Sequence, residues 1–199
     1  MTALSSPLLA ARQSPARAKI SEQYNNSLHP SGTGCKPGSF DVECSNDFET
    51  ATVTFSRHEI ESQGKSDCTL EFRIVFPRSR NSSTRRTLDA TITHTGELDL
   101  HSRESASISR DYRVEGAALT SAIDQRPATE YFDNSGRQRF SLRDKLGLTY
   151  TTSTGGDGDG EDVFVYRLSS TLELETSRRA SNAGWFTERT LVFDIRGRD

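Results

Sequence analysis

From Cys68 to Phe76 the chain reads Cys-Thr-Leu-Glu-Phe-Arg-Ile-Val-Phe. Cys68, Leu70, Phe72, Ile74 and Phe76 alternate with Thr69, Glu71, Arg73 and Val75. Successive side chains of an extended chain point to opposite faces, so this segment is a strand with one apolar face to bury. Pro77 follows, and its missing N–H ends a hydrogen-bonded ladder. One such strand dictates much: its apolar face must be covered by a second layer.

The same period of two recurs along the chain. Phe40, Val42 and Cys44 share a face, as do Ala51, Val53 and Phe55, then Leu88, Ala90 and Ile92, then Leu98 and Leu100. Ile108, Arg110, Tyr112 and Val114 are in phase, with the arginine as the exception. Later come Asp-Val-Phe-Val-Tyr-Arg-Leu-Ser-Ser from Asp162, Thr-Leu-Glu-Leu-Glu-Thr from Thr171, and a face of Leu191, Phe193 and Ile195. No segment carries a capped apolar stripe at helical spacing. Residues 117 to 139 have no clean period and read as a long connection, with room for one helical turn at Ser121–Gln125. These signals predict an all-β fold: an antiparallel two-sheet β-sandwich rather than a parallel α/β sheet. Residues 1–31 lack periodicity and are expected to be a flexible N-terminal arm, or the remnant of a targeting or propeptide segment, before a single sandwich domain over 32–199.

Composition narrows the function classes. Only 32% of residues are hydrophobic, but 10 Phe, 5 Tyr and 1 Trp supply a core. A net charge of -3 predicts no nucleic-acid partner. No run of about 18 apolar residues exists, so no transmembrane helix is expected. The Leu8–Ala11 patch is shorter than a secretory apolar region.

Several motifs invite chemistry and meet plainer readings. Asp157-Gly-Asp159-Gly-Glu161-Asp162 offers closely spaced carboxylates, the ligand type calcium prefers. An EF-hand needs Gly at position 6 and Glu at position 12, where this chain has Asp162 and Leu168. A different calcium site on Asp157, Asp159 and Glu161 competes with a solvated hairpin loop, since glycine and aspartate both suit tight turns. The loop reading is favoured, and no other cofactor is implied. It places an exposed connection over residues 155–161, a strand starting near Asp162, and Val163 or Phe164 as its first buried residue. The expected thermal midpoint is the same in millimolar calcium and in chelator. A shift of several degrees, lost on Asp157→Ala with Asp159→Ala, would establish the metal site instead.

A turn at Thr95-Gly96 would fold the chain back and bring His94 near His101, but not opposite it, a poor start for a metal pair. Arg78, Arg80, Arg85 and Arg86 lie in an acid-free stretch that either contacts an anionic surface or is a solvated loop. Trp185-Phe186 is either core or an aromatic platform for a sugar. Asn25 and Asn81 begin glycosylation tripeptides, relevant to a secreted chain. Gly-x-Ser-x-Gly, His-Glu-x-x-His and phosphate-loop signatures are absent. The 28 acidic residues permit a glycosidase-like carboxylate pair without singling one out.

Gly32-Thr-Gly-Cys-Lys-Pro-Gly-Ser-Phe-Asp-Val-Glu-Cys44, continuing to Thr-Val-Thr-Phe55, resembles the opening Gly-Thr-Gly-Cys-Pro-x-Gly region of an uncharacterised family of small secreted fungal and bacterial β-sandwich proteins, a domain of unknown function. Asp67-Cys-Thr-Leu-Glu-Phe-Arg-Ile-Val-Phe-Pro77 is similar to that family's Asn-Cys-x-Leu strand. Lys36 intervenes before Pro37, His94-Thr95-Gly96 stands where the family has Tyr-Arg-Gly, and the family's late Cys-Gly is missing. The resemblance implies secretion to the extracellular space and a disulfide between Cys35 and Cys68, with Cys44 reduced; it carries no catalytic residue. The resulting expectation is a secreted, effector-like, non-enzymatic protein that binds a protein or glycan of a host, a competitor or a cell wall. The alternative is a secreted hydrolase acting on glycans through a carboxylate pair in a sandwich cleft.

Overall fold

The computed structural model describes residues 18–21, 30–77, 85–116, 119–123, 127–151, 160–176 and 184–198. Among these every regular element is a strand: β1 (Lys19–Ile20), β2 (Phe40–Cys44), β3 (Thr50–Phe55), β4 (Glu59–Ile60), β5 (Gly64–Pro77), β6 (Arg85–Leu100), β7 (Glu104–Glu115), β8 (Leu119–Ile123), β9 (Ala128–Phe132), β10 (Gly136–Thr151), β11 (Glu161–Thr176) and β12 (Trp185–Arg198). They form two antiparallel sheets, one ordered β1-β5-β11-β7-β9 and the other β2-β3-β12-β6-β10-β8, with β4 also on β12. The expected sandwich is the fold.

The alternating faces land as the period requires. Cys68, Leu70, Phe72, Ile74 and Phe76 are all buried, and β5 stops at Pro77. Arg110 and Tyr112 both point inward beside Ile108 and Val114. Some boundaries differ. The segments beginning at Asp162 and Thr171 are one 16-residue strand, β11. Its first inward residue is Asp162; Phe164 follows, and Val163 faces solvent. β6 runs straight through Thr95-Gly96 to Leu100, because Gly96 pairs with Phe140 of β10 and Glu188 of β12. A central strand hydrogen-bonded on both sides cannot turn there. The long connection expected over 117–139 holds β8, β9 and the start of β10, and Ser121 to Ile123 are extended where a helical turn was expected. β8 and β9 have five residues each, too few for a period to stand out.

Within the segment expected to be an arm, Lys19 and Ile20 pair with Val75 and Ile74 on the edge of β5. Ala18 and Ile20 are buried. Packing therefore begins upstream of residue 32; two residues show no periodicity to read. Cys35 and Cys68 form the disulfide, with Cα atoms 5.1 Å apart. The half-buried Cys44 stays outside it.

Candidate functional site

Each of the six long strands carries at least one polar residue in phase with its apolar face. β5 has Ser66, β6 His94, β7 Arg110, β10 Asp144, β11 Ser170 and β12 Glu188. Antiparallel register brings these to one level: Ser170 lies opposite Arg110 across β11 and β7, and His94 lies two residues from Gly96, the partner of Glu188. The result is a polar layer across the sandwich. On one side lies an apolar cluster with Phe72, Ile92, Tyr150, Phe164 and Phe193. On the other lies a smaller one with Ile60, Leu98, Ile108, Phe140, Leu172 and Phe186.

Glu188 is the centre of the layer. Its inward position follows from an irregularity in β12: the register against β6 shifts between Glu188 and Thr190. Phe186 and Glu188 point inward before the shift, and Leu191, Phe193 and Ile195 after it. Such a bulge re-aims side chains. Gly96 accommodates it, since a Cβ there would run into the Thr187 carbonyl oxygen and the Phe140 ring.

Hydrogen bonds link the layer, and ion proximity alone ties Arg110 Nε to it. His94 Nδ1 lies 2.6 Å from Glu188 Oε1, and His94 Nε2 2.8 Å from the Tyr112 hydroxyl. Tyr112 donates to Asp144 Oδ2 at 2.6 Å, and Arg110 Nε lies 3.3 Å from the same oxygen. Ser170 donates to Glu188 Oε2 at 2.8 Å. His58, in the turn before β4, places Nδ1 3.1 Å from Ser66 Oγ and Nε2 3.1 Å from Ser170 Oγ and 3.3 Å from Glu188 Oε2. The hydroxyl proton of Tyr112 goes to Asp144, so its oxygen accepts from His94 Nε2–H, while His94 Nδ1–H serves Glu188. Counted this way His94 is an imidazolium. Two cations, His94 and Arg110, then balance two carboxylates, Glu188 and Asp144. Burial pushes the Glu188 carboxyl up, but His94 and then His58 outweigh it and hold the group down at about 2. Burial, followed by the hydrogen bond to Asp144, pushes the Tyr112 phenol well above its ordinary range.

Ser66, His58 and Glu188 have the composition of a nucleophilic triad, but they are only 5%, 0% and 0% exposed. A substrate carbonyl has no approach to them, so the layer supports the fold rather than acyl transfer.

Solvent meets functional groups a short distance away, on the outer side of β12. A groove of about 380 Å³ is lined by Glu59, Glu61, Glu97, Arg137, Trp185, Thr187 and Arg189. Alternation splits the aromatic pair: Phe186 is buried in the smaller cluster, and Trp185 is half-buried in the groove wall. The Arg137 guanidinium sits 5.6 Å from the centre of the indole. Glu97 accepts from Arg137 at 2.8 Å and Arg189 at 3.1 Å. Those hydrogen bonds, Arg137 first, hold its carboxyl below the usual range. That is the wrong direction for a general acid in glycoside cleavage.

Asp157, Asp159, Arg78, Arg80, Asn25 and Asn81 lie outside the described residues. Glu161 is exposed at the start of β11 opposite Pro77. Arg85 and Arg86 open β6 opposite Thr151 and Tyr150. Among the described residues no group of three or more His, Cys, Asp or Glu is placed to hold a metal ion. His94 is buried and His101 is exposed beyond the end of β6, so the two are not a pair.

These features define an all-β, two-sheet antiparallel sandwich with a polar interior layer and an open aromatic groove. The chain belongs to the family described as a domain of unknown function, DUF4360, whose model matches residues 25–196. No curated protein sequence matches it. Among solved structures it is similar to the carbohydrate-binding module TmCBM61 in complex with beta-1,4-galactotriose, at 9% identity over 90% of this chain and 91% of that one, with a TM-score of 0.26. It is also similar to the CBM22-1 xylan-binding domain of Paenibacillus barcinonensis Xyn10C, at 12% identity over 93% and 97%, with a TM-score of 0.23. The membrane-inserted Clostridium perfringens NetB toxin matches at 7% identity over 85% and 95%, with a TM-score of 0.21. Superpositions this loose carry no functional argument, and the groove itself must supply it.

Proposed function

We propose that this is a non-enzymatic, secreted protein that binds a saccharide of a cell wall or cell surface in the Trp185 groove. The observation that carries the reading is the half-buried indole set among Glu59, Glu61, Glu97, Arg137 and Arg189. A pyranose ring offers an apolar C–H face and a rim of hydroxyls. The indole suits the face, and carboxylates and guanidinium groups suit the rim. The groove is open at the surface, as a polymer needs. Export fits the disulfide, since such bonds persist in oxidising compartments.

The test is retention on insoluble polysaccharides, with cellulose, xylan and chitin as probes. Trp185→Ala is expected to lower affinity for the retained polymer at least tenfold, or about 1.4 kcal/mol. Its thermal midpoint should stay close to that of the parent, because the ring lies outside both apolar clusters. Unchanged retention by Trp185→Ala, or no retention on any of the three polymers, would refute the reading.

A further inference from the structure

One wall of the groove is unusually slight. Glu59 and Glu61 flank Ile60; β4 itself has two residues and, among the described residues, pairs through Ile60 to Phe186 and Glu59 to Thr187. Ile60 anchors it by packing into the smaller apolar cluster. The other anchor is His58, immediately upstream. Its carbonyl accepts the Glu188 N–H at 3.0 Å and the Thr187 hydroxyl at 3.3 Å. Its ring reaches both sheets, touching Ser66 on β5, Ser170 on β11 and Glu188 on β12. The ring also lies against Phe55, and Gly34 leaves just enough room for it, since a Cβ there would strike His58 Nδ1. A side chain bonded at both ring nitrogens and closed in on all sides has one orientation. It therefore fixes where the next residues, Glu59 to Glu61, stand relative to Trp185.

We propose that His58 and Glu188 are positioning residues of the groove, holding the wall that carries Glu59 and Glu61 against the face of β12 that presents Trp185. The buried layer and the exposed groove are then one device: the same Glu188 that closes the interior hydrogen-bond chain sets the width of the surface cleft. This deepens the saccharide-binding reading and relies on that groove being the site, but the wall can be tested without a ligand.

The chain has a single tryptophan, so its fluorescence reports on the groove alone. Acrylamide quenching is measured at a temperature where far-UV circular dichroism shows every variant folded. His58→Ala is expected to raise the quenching constant at least twofold and shift the emission to the red. His58→Gln, which keeps a donor towards Glu188, should fall between. Leu148→Ala, in the larger cluster away from the groove, is the control for general loosening. Should His58→Ala not fold, Ser66→Ala with Ser170→Ala removes the ring's hydroxyl partners and replaces it, with the same expectation. Quenching unchanged in the His58 or paired serine variants, or raised equally by Leu148→Ala, would overturn the proposal. Polysaccharide retention by the same variants separates the two ideas. If Trp185→Ala retains the polymer, the binding reading fails, and the quenching still decides what His58 does.

Discussion

Glu188→Ala is expected to destabilise the sandwich by about 3–5 kcal/mol, a large share of the roughly 5–15 kcal/mol available to a domain. The reason is what it leaves behind. His94 is fully buried, and its ring donates to Glu188 on one side and Tyr112 on the other. Removing the carboxylate strands a buried imidazolium, leaves the Ser170 hydroxyl without its acceptor and removes the carboxylate beside His58 Nε2. Denaturant unfolding should show a lower midpoint with an unchanged slope, since the surface exposed on unfolding is the same. The parent carries a matching pH signature. Glu188 titrates at about 2 in the fold against an ordinary 4.5, so the unfolded chain takes up this proton first on acidification. Its contribution is complete above about pH 5 and disappears as the pH falls towards 2, worth roughly 3 kcal/mol in all. Glu188→Gln should lack that acid limb. A loss below about 1 kcal/mol for Glu188→Ala would show that the layer is not an ionised network.

Reduction of the Cys35–Cys68 bond should be nearly as costly. The bond closes a loop with a sequence separation of 33, which corresponds to roughly 3–4 kcal/mol of restricted unfolded-state freedom. Its position concentrates the effect. Both sulfurs are buried, and the Cys35 segment is laced to β5 by backbone bonds between Ser31 and Thr69 and from Gly34 N–H to Asp67 O. Without the bond, the strand carrying the clearest alternation loses the cover over its Gly64 end. Thermal unfolding with and without reductant should differ by roughly 10 °C at this chain length. Intact-mass analysis after alkylation in denaturant should count one reactive thiol before reduction and three after it. Three thiols in the unreduced protein would contradict the bond.

The fold was legible because alternation is a local property. Cys68 to Phe76 announces a one-faced strand from nine letters, and Leu191, Phe193 and Ile195 do so from five. The polar layer was illegible because no strand shows more than one or two of its members. Arg110 read as an exception among Ile108, Tyr112 and Val114, and His94 as a turn residue after Ile92. Asp144 interrupts Phe140, Leu142, Leu146, Leu148 and Tyr150 in the same way, and that strand went unread. Only the register of six strands turns these exceptions into a single plane. The phase change between Phe186 and Leu191 was the available clue to the bulge, and with it to Glu188. The groove was half visible: Trp185-Phe186 suggested two fates for an aromatic pair, and alternation assigns one to each residue.

The polar layer also divides the interior. Among the described residues the buried apolar side chains fall into two separate clusters, two cores with a common wall. Substitutions in the small core beneath the groove, around Leu98, Phe140 and Phe186, can then be absorbed there without disturbing the packing of Phe72, Tyr166 and Phe193 beyond the wall. The small core beneath the groove is free to diversify while the larger one beyond the wall stays as it is.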